Sequence, residues 1–148
     1  MTDSEKRYTE LKVWQEARKL SKEVYSITAE FPREEQYGLI NQIRRCAISV
    51  PSNIAEGCGR NHSKDSIRFF HIARGSLYEL ETQLYLCFDL NYLDEPKLKE
   101  VLLSTELSRK LLSGFIKYFQ NLKPKPKKTS DKDNWQPITD NRQLITDN

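Results

Sequence analysis

Apolar residues recur every three or four positions along most of this 148-residue chain, in four long stretches separated by short connections. A period near 3.6 gathers such residues on one side of an α-helix, and that side must be buried against another element. The first stretch covers about residues 10–30, with Val13, Trp14, Ala17, Leu20, Val24 and Ile27 on one face and Thr9 as N-cap. Phe31-Pro32 closes it, because proline disfavours the α region for the residue before it. The second starts near Tyr37 and carries Leu39, Ile40, Ile43, Ala47, Val50 and Ile54, with Gly57 and Gly59 where a left-handed C-terminal cap belongs. The third covers about residues 63–90, with Phe69, Ile72, Ala73, Leu77, Leu80, Leu84 and Cys87 inward. The fourth opens at Asp94-Glu95-Pro96, an N-cap followed by a first-turn proline, and continues to about Leu122. Short connections make neighbours antiparallel, so the spacing predicts an all-α, up-down four-helix bundle over residues 9–122.

Outside that span the composition changes. Residues 1–8 are expected to be a flexible N-terminus. Residues 123–148, KPKPKKTSDKDNWQPITDNRQLITDN, hold three prolines, little apolar content and the repeat ITDN at 138–141 and 145–148. Such a segment buries too little apolar surface to offset its ordering entropy, so it is read as a disordered tail. The net charge is only +3, but its distribution is uneven. Residues 76–106 hold seven acids against two lysines, and residues 117–132 hold six lysines against Asp131. That split fits either a face that meets an anion or a solvated, solubilising tail.

The fourth stretch is apolar on two sides. Leu98, Val101, Leu102, Leu112, Ile116 and Phe119 suffice for the core, while Leu103, Leu107, Leu111, Phe115, Tyr118 and Leu122 form a second row. Tyr78, Tyr85 and Tyr92 repeat every seven residues off the third helix's core stripe. A second apolar side must also be covered, which predicts a homo-oligomer with Leu103, Leu107, Leu111, Phe115, Tyr118, Tyr78 and Tyr85 at its interface. On the second helix, Gln42, Arg45, Ser49, Asn53 and Glu56 make a polar strip suited to a satisfied seam or a subunit contact. Pro51 lacks an N–H and displaces the carbonyl of Ala47, so the helix is expected to bend there.

The blocks QIRRCAISVPSNIAEGCGR and GSLYELETQL, within a likeness spanning about residues 11–122, resemble the S23-like four-helix-bundle family of the 23S rRNA intervening-sequence protein. They are also similar to the related accessory variability proteins of diversity-generating retroelements. The resemblance implies a four-helix protomer assembled as a ring-like pentamer. For the retroelement branch it further implies a basic surface that binds nucleic acid and a reverse transcriptase partner.

Six basic residues are candidates for phosphate binding: Arg44 and Arg45 on the second helix, Arg60 and Lys64 flanking the turn, and Arg68 and Arg74 on the third. The planar fork of Arg donates two parallel hydrogen bonds to phosphate, and the third helix's N-terminus would add N–H groups and a favourable dipole. The rival reading is structural pairing, Arg45 with Glu56 or an acid on the third helix, and Arg74 with Tyr78 or a nearby Glu. Lysines 123, 125, 127 and 128 would add salt-sensitive, sequence-independent attraction.

Enzyme chemistry finds little support. His62 and His71 have no partner at metal-ligand spacing, Glu79 and Glu81 face different ways, and Gly57-Cys58-Gly59 lacks the Lys-Ser/Thr of a phosphate loop. Cys58 beside Arg60 has no base positioned by sequence. Three cysteines without CxxC spacing, no signal peptide and no long apolar run predict a cytoplasmic chain with reduced thiols and no membrane span. The expectation is therefore a non-enzymatic homo-oligomer without cofactor or metal, whose partners are itself and RNA or DNA, with a reverse transcriptase as a further candidate. A protein–protein scaffold whose Arg residues stabilise subunit contacts is the alternative.

Overall fold

The computed structural model describes residues 8–122. Residues 1–7 of the expected flexible N-terminus and the Lys/Pro-rich tail lie outside the described residues, whereas Tyr8, the last residue of that expected N-terminus, is ordered in a 3₁₀ turn with its ring 5.4 Å from that of Trp14. A 3₁₀ turn, Tyr8–Glu10, precedes helix α1, Lys12–Thr28; a second, Arg33–Glu35, leads into α2, Leu39–Cys58; α3, Ser63–Asp89, and α4, Glu95–Gln120, follow. Each helix packs against its neighbours in sequence, and α4 closes the square against α1. Cross-contacts fix the directions as up-down-up-down. Arg44 near the start of α2 reaches Thr28 at the end of α1, Gly57 at the end of α2 meets Phe70 near the start of α3, and Phe70 meets Phe119 at the end of α4.

The helix ends follow local chemistry in part. Asp94 Oδ1 accepts the Lys97 N–H at 2.9 Å, and Pro96 occupies the first turn, as the sequence predicts. Thr9 is not the N-cap of α1. It lies in the 3₁₀ turn with its carbonyl accepting from Gln15 Nε2, and the helix starts after Leu11 without a side-chain cap. The glycine caps are corrected too. Gly57 lies inside α2, and Gly59 caps it with right-handed dihedrals, φ −84° and ψ −3°. Among the described residues the left-handed one is Asn91, φ 62°, after α3; the Tyr92 N–H then reaches back to the Cys87 carbonyl at 2.9 Å, which satisfies an orphan acceptor of the last turn.

Helix α2 runs unbroken through Pro51. The carbonyl that Pro51 cannot bond, that of Ala47, is recovered from another helix: Ser21 Oγ on α1 lies 3.0 Å from it and 3.0 Å from the Ala17 carbonyl. One hydroxyl thus serves two helices. Losing the donor to a buried carbonyl costs about 1–3 kcal/mol. Ser21→Ala is expected to destabilise the protein by that order, and Pro51→Ala, which restores an N–H, to relieve most of the loss. Urea unfolding of the two single variants and the double variant checks this, and strictly additive effects would contradict it.

The core stripe of α3 is Ser66, Phe70, Ala73, Leu77, Leu80, Leu84 and Cys87, one residue out of step at its start from the sequence expectation. Phe69 is half-buried and Ile72 is 46% exposed. Phe115 is likewise corrected, since at 1% exposure it belongs to the core and not to the outer row. It joins Phe70 and Phe119 in a triad with centroids 4.8–5.0 Å apart. Tyr92 lies past the end of α3, against Phe31, and its hydroxyl donates to Glu35 Oε1 at 3.1 Å, so it does not continue the outer tyrosine row.

Candidate nucleic-acid interface and a neighbouring polar cleft

The six basic residues divide among four places. Arg44 faces α1: its Nε donates to Thr28 Oγ1 at 2.8 Å, Nη2 reaches the Tyr25 carbonyl at 3.4 Å, and the guanidinium lies 4.4 Å from the centre of the Tyr25 ring. This ties the C-terminal turn of α1 to α2, which is a structural role. Arg74 shares the stripe of Tyr78, Glu81 and Tyr85, and its Nη2 lies 3.1 Å from His71 Nδ1. That stripe faces α4, because Arg109 pairs with Glu81 at 2.5 Å and sits over the Tyr78 ring. Sequence reasoning missed Arg109, and nothing local could have found it: the partner is 28 residues away on another helix.

Arg60, Lys64 and Arg68 do come together, at the turn from α2 to α3. The guanidiniums of Arg60 and Arg68 lie 4.5 and 5.1 Å from the centre of the same ring, Phe69. A guanidinium held on an aromatic face is positioned through its flat side, which leaves its N–H edge for an acceptor. Arg60 also meets Glu56 at 3.3 Å, an exposed pair worth about 0–1 kcal/mol at most. No side chain caps the N-terminus of α3, although Asp65 in its first turn supplies one compensating negative charge. Lys117, in the last turn of α4, belongs to the same end, since Phe119 packs on Phe70. The acid-rich stretch 76–106 covers the later part of α3 and the first half of α4, and so runs toward the opposite end.

Arg45 lines an open cleft of about 590 Å³ between α2 and α3, together with Tyr37, Asn41, Gln42, Ser76, Glu79 and Gln83. The expected pairings of Arg45 with Glu56 or an α3 acid are not formed; Glu56 pairs with Arg60 instead. Part of the polar strip is a satisfied seam: Ser49 and Ser76 share a hydrogen bond of 2.8 Å, and Asn53 Nδ2 donates to the Ser49 carbonyl and hydroxyl. Beneath them Cys46 Sγ donates to the Ser76 carbonyl at 3.0 Å. Gln83 Oε1 is buried and accepts no hydrogen bond.

The outer row is shorter than expected. Leu103, Leu107, Tyr78 and Tyr85 are 66, 41, 52 and 48% exposed, whereas Leu111 and Tyr118 are half-buried against the core. All three thiols are buried, and burial pushes Cys46 and Cys58 up to about 12 and Cys87 to about 11, far from a reactive thiolate. Among the described residues no three His, Cys, Asp or Glu side chains gather to hold a metal ion, and no helix is long and apolar enough to cross a membrane.

The family model described as 23S rRNA-intervening sequence protein matches residues 9–114. A solved structure from Bacteroides thetaiotaomicron VPI-5482, described as a protein of unknown function from the S23 ribosomal protein family, superposes with a TM-score of 0.64. It is 21% identical, with 71% of this chain and 98% of that chain covered, a likeness that speaks to the fold. No curated protein matches the sequence.

Proposed function

The chain belongs to the family of 23S rRNA-intervening sequence proteins, and on that footing we propose that it is a homo-oligomeric helical bundle that holds RNA or DNA by its phosphate backbone. The observation that carries this reading is the pair of guanidiniums on Phe69, with Lys64 one turn before Arg68. Two cations fixed on one ring have already lost much of the freedom that phosphate contact would otherwise remove. Lysines 123, 125, 127 and 128 follow directly on α4, whose last turn belongs to the same end. A single protomer would make only a few exposed contacts, so affinity depends on repetition. Exposed Leu103, Leu107, Tyr78 and Tyr85 supply apolar surface for self-association, and each added copy brings another basic end to the same strand. Bound this way the protein performs no reaction; it would present nucleic acid to an enzyme such as a reverse transcriptase.

The test is a titration with fluorescent structured RNA and duplex DNA at two salt concentrations, with the protein's mass taken by light scattering. Saturable binding that weakens with salt, by a particle of several chains, is the expected result. An oligomer that ignores both nucleic acids would replace this reading with the scaffold, in which Arg45 and its strip make subunit contacts.

A further inference from the structure

The proposed function uses the basic end and leaves the α2–α3 cleft without an occupant. Its volume, about 590 Å³, falls among those of small-molecule sites. Arg45 and Glu79 both line it, yet neither forms an ion pair with the other or with any other described residue. Opposite charges that share a cleft and remain apart suit a ligand that bridges them, with an anion for Arg45 and N–H donors for Glu79. The carboxylate has one weak neighbour, the Cys46 thiol at 3.7 Å, whose proton is already directed to the Ser76 carbonyl. Gln83, one turn beyond Glu79 on the same stripe, also lines the cleft, although its Oε1 is buried. Tyr37, in the turn before α2 and 88% exposed, lines the cleft together with Asn41 and Arg45, one turn apart on α2.

We propose that this cleft receives one unstacked guanine nucleotide of a single strand, its phosphate on Arg45, its Watson–Crick edge on Glu79, and its ring against Tyr37. The inference rests on the nucleic-acid reading above and deepens it. Among the four common bases only guanine carries two adjacent donors on that edge, N1–H and the 2-amino group, which a carboxylate accepts in parallel. Adenine and cytosine each set a ring-nitrogen acceptor beside their single amino group, and uracil flanks its one N–H with carbonyls, so each would face the carboxylate with lone pairs. A peptide arginine also offers two donors, but its positive charge would enter a cleft that already holds Arg45. Tyrosine is a common platform for an unstacked base.

The experiment is an NMR titration of the ¹⁵N-labelled full chain with GMP, AMP, inorganic phosphate and arginine amide, observing the Gln83 side-chain amide and the Arg45 Nε–H. GMP is expected to shift both saturably and about tenfold or more tighter than AMP, with phosphate alone moving only Arg45. Glu79→Ala should bring GMP down to the AMP level while the variant still binds duplex DNA through its basic end. Equal responses to GMP and AMP, or a stronger response to arginine amide, would overturn the guanine site. If the cleft stays silent while RNA and duplex DNA still bind, the guanine site falls and the proposed function stands. If GMP fills the cleft but no polynucleotide binds, both fall.

Discussion

Gly57→Ala is expected to destabilise the bundle by about 2 kcal/mol, against the direction that helix propensity gives. Alanine inside a helix is favoured over glycine by about 1 kcal/mol, so on local grounds the substitution should help. In the fold, however, a Cβ at this position would lie 2.4 Å from Cε1 of Phe70 and 2.8 Å from its Cδ1. The ring cannot swing aside cheaply, since Phe115 and Phe119 hold it at 4.8 and 5.0 Å and its exposure is zero. Overpacking of this kind costs about 1–3 kcal/mol and sometimes more, and here it should outweigh the propensity gain. Phe70→Leu shortens the opposing side chain. It is expected to cost stability alone and to cost less in the Gly57→Ala background, a favourable coupling that a double-mutant cycle by urea unfolding would measure. A Gly57→Ala variant as stable as the parent would show that the ring yields, and the close approach would lose its meaning.

The second large effect concerns binding. The triple variant Arg60→Gln, Lys64→Gln, Arg68→Gln is expected to lower affinity for duplex DNA roughly a hundredfold at low salt and to flatten the plot of log K against log salt by about 2–3. Each phosphate contact contributes about 0.9 to that slope, so three contacts account for the change. Stability should fall little, because the Arg60–Glu56 pair is exposed and each ring contact is worth about 0.5–1 kcal/mol. Arg44→Gln separates the two kinds of arginine. It removes hydrogen bonds to Thr28 and the Tyr25 carbonyl, so it should lower stability and leave the salt slope alone. An unchanged slope in a folded triple variant would remove the basic end from the proposed function.

The number of helices, their order and their antiparallel sense were legible in the sequence, because each depends on short-range chemistry. A 3.6-residue apolar period, an Asp-Glu-Pro start and brief connections act within a few residues of where they are read. The phase of a stripe was less secure. Phe69 and Phe70 stand 100° apart on α3, both are apolar, and only the meeting with Phe115 and Phe119 decides that Phe70 turns inward. The same limit moved Phe115 from the outer row into the core.

Pairing across helices was not legible at all. Ser21 with the Ala47 carbonyl, Arg44 with Thr28 and Arg109 with Glu81 join residues 16–28 positions apart. Nothing in a one-dimensional pattern says which donor will stand beside which acceptor. For that reason the six basic residues looked like one set and divided into four, with Arg74 beside His71 on the stripe that faces α4. Arg44 became a structural tie, Arg60, Lys64 and Arg68 became a basic end, and Arg45 became one wall of a cleft. Sequence by itself determined that this chain is a four-helix bundle, because amphipathic period is a local property of the chain. Which arginines are engaged in contacts between helices and which stay at the surface was decided only by tertiary packing, because hydrogen bonds and ring contacts act over a few ångströms in space and do not register separation along the sequence.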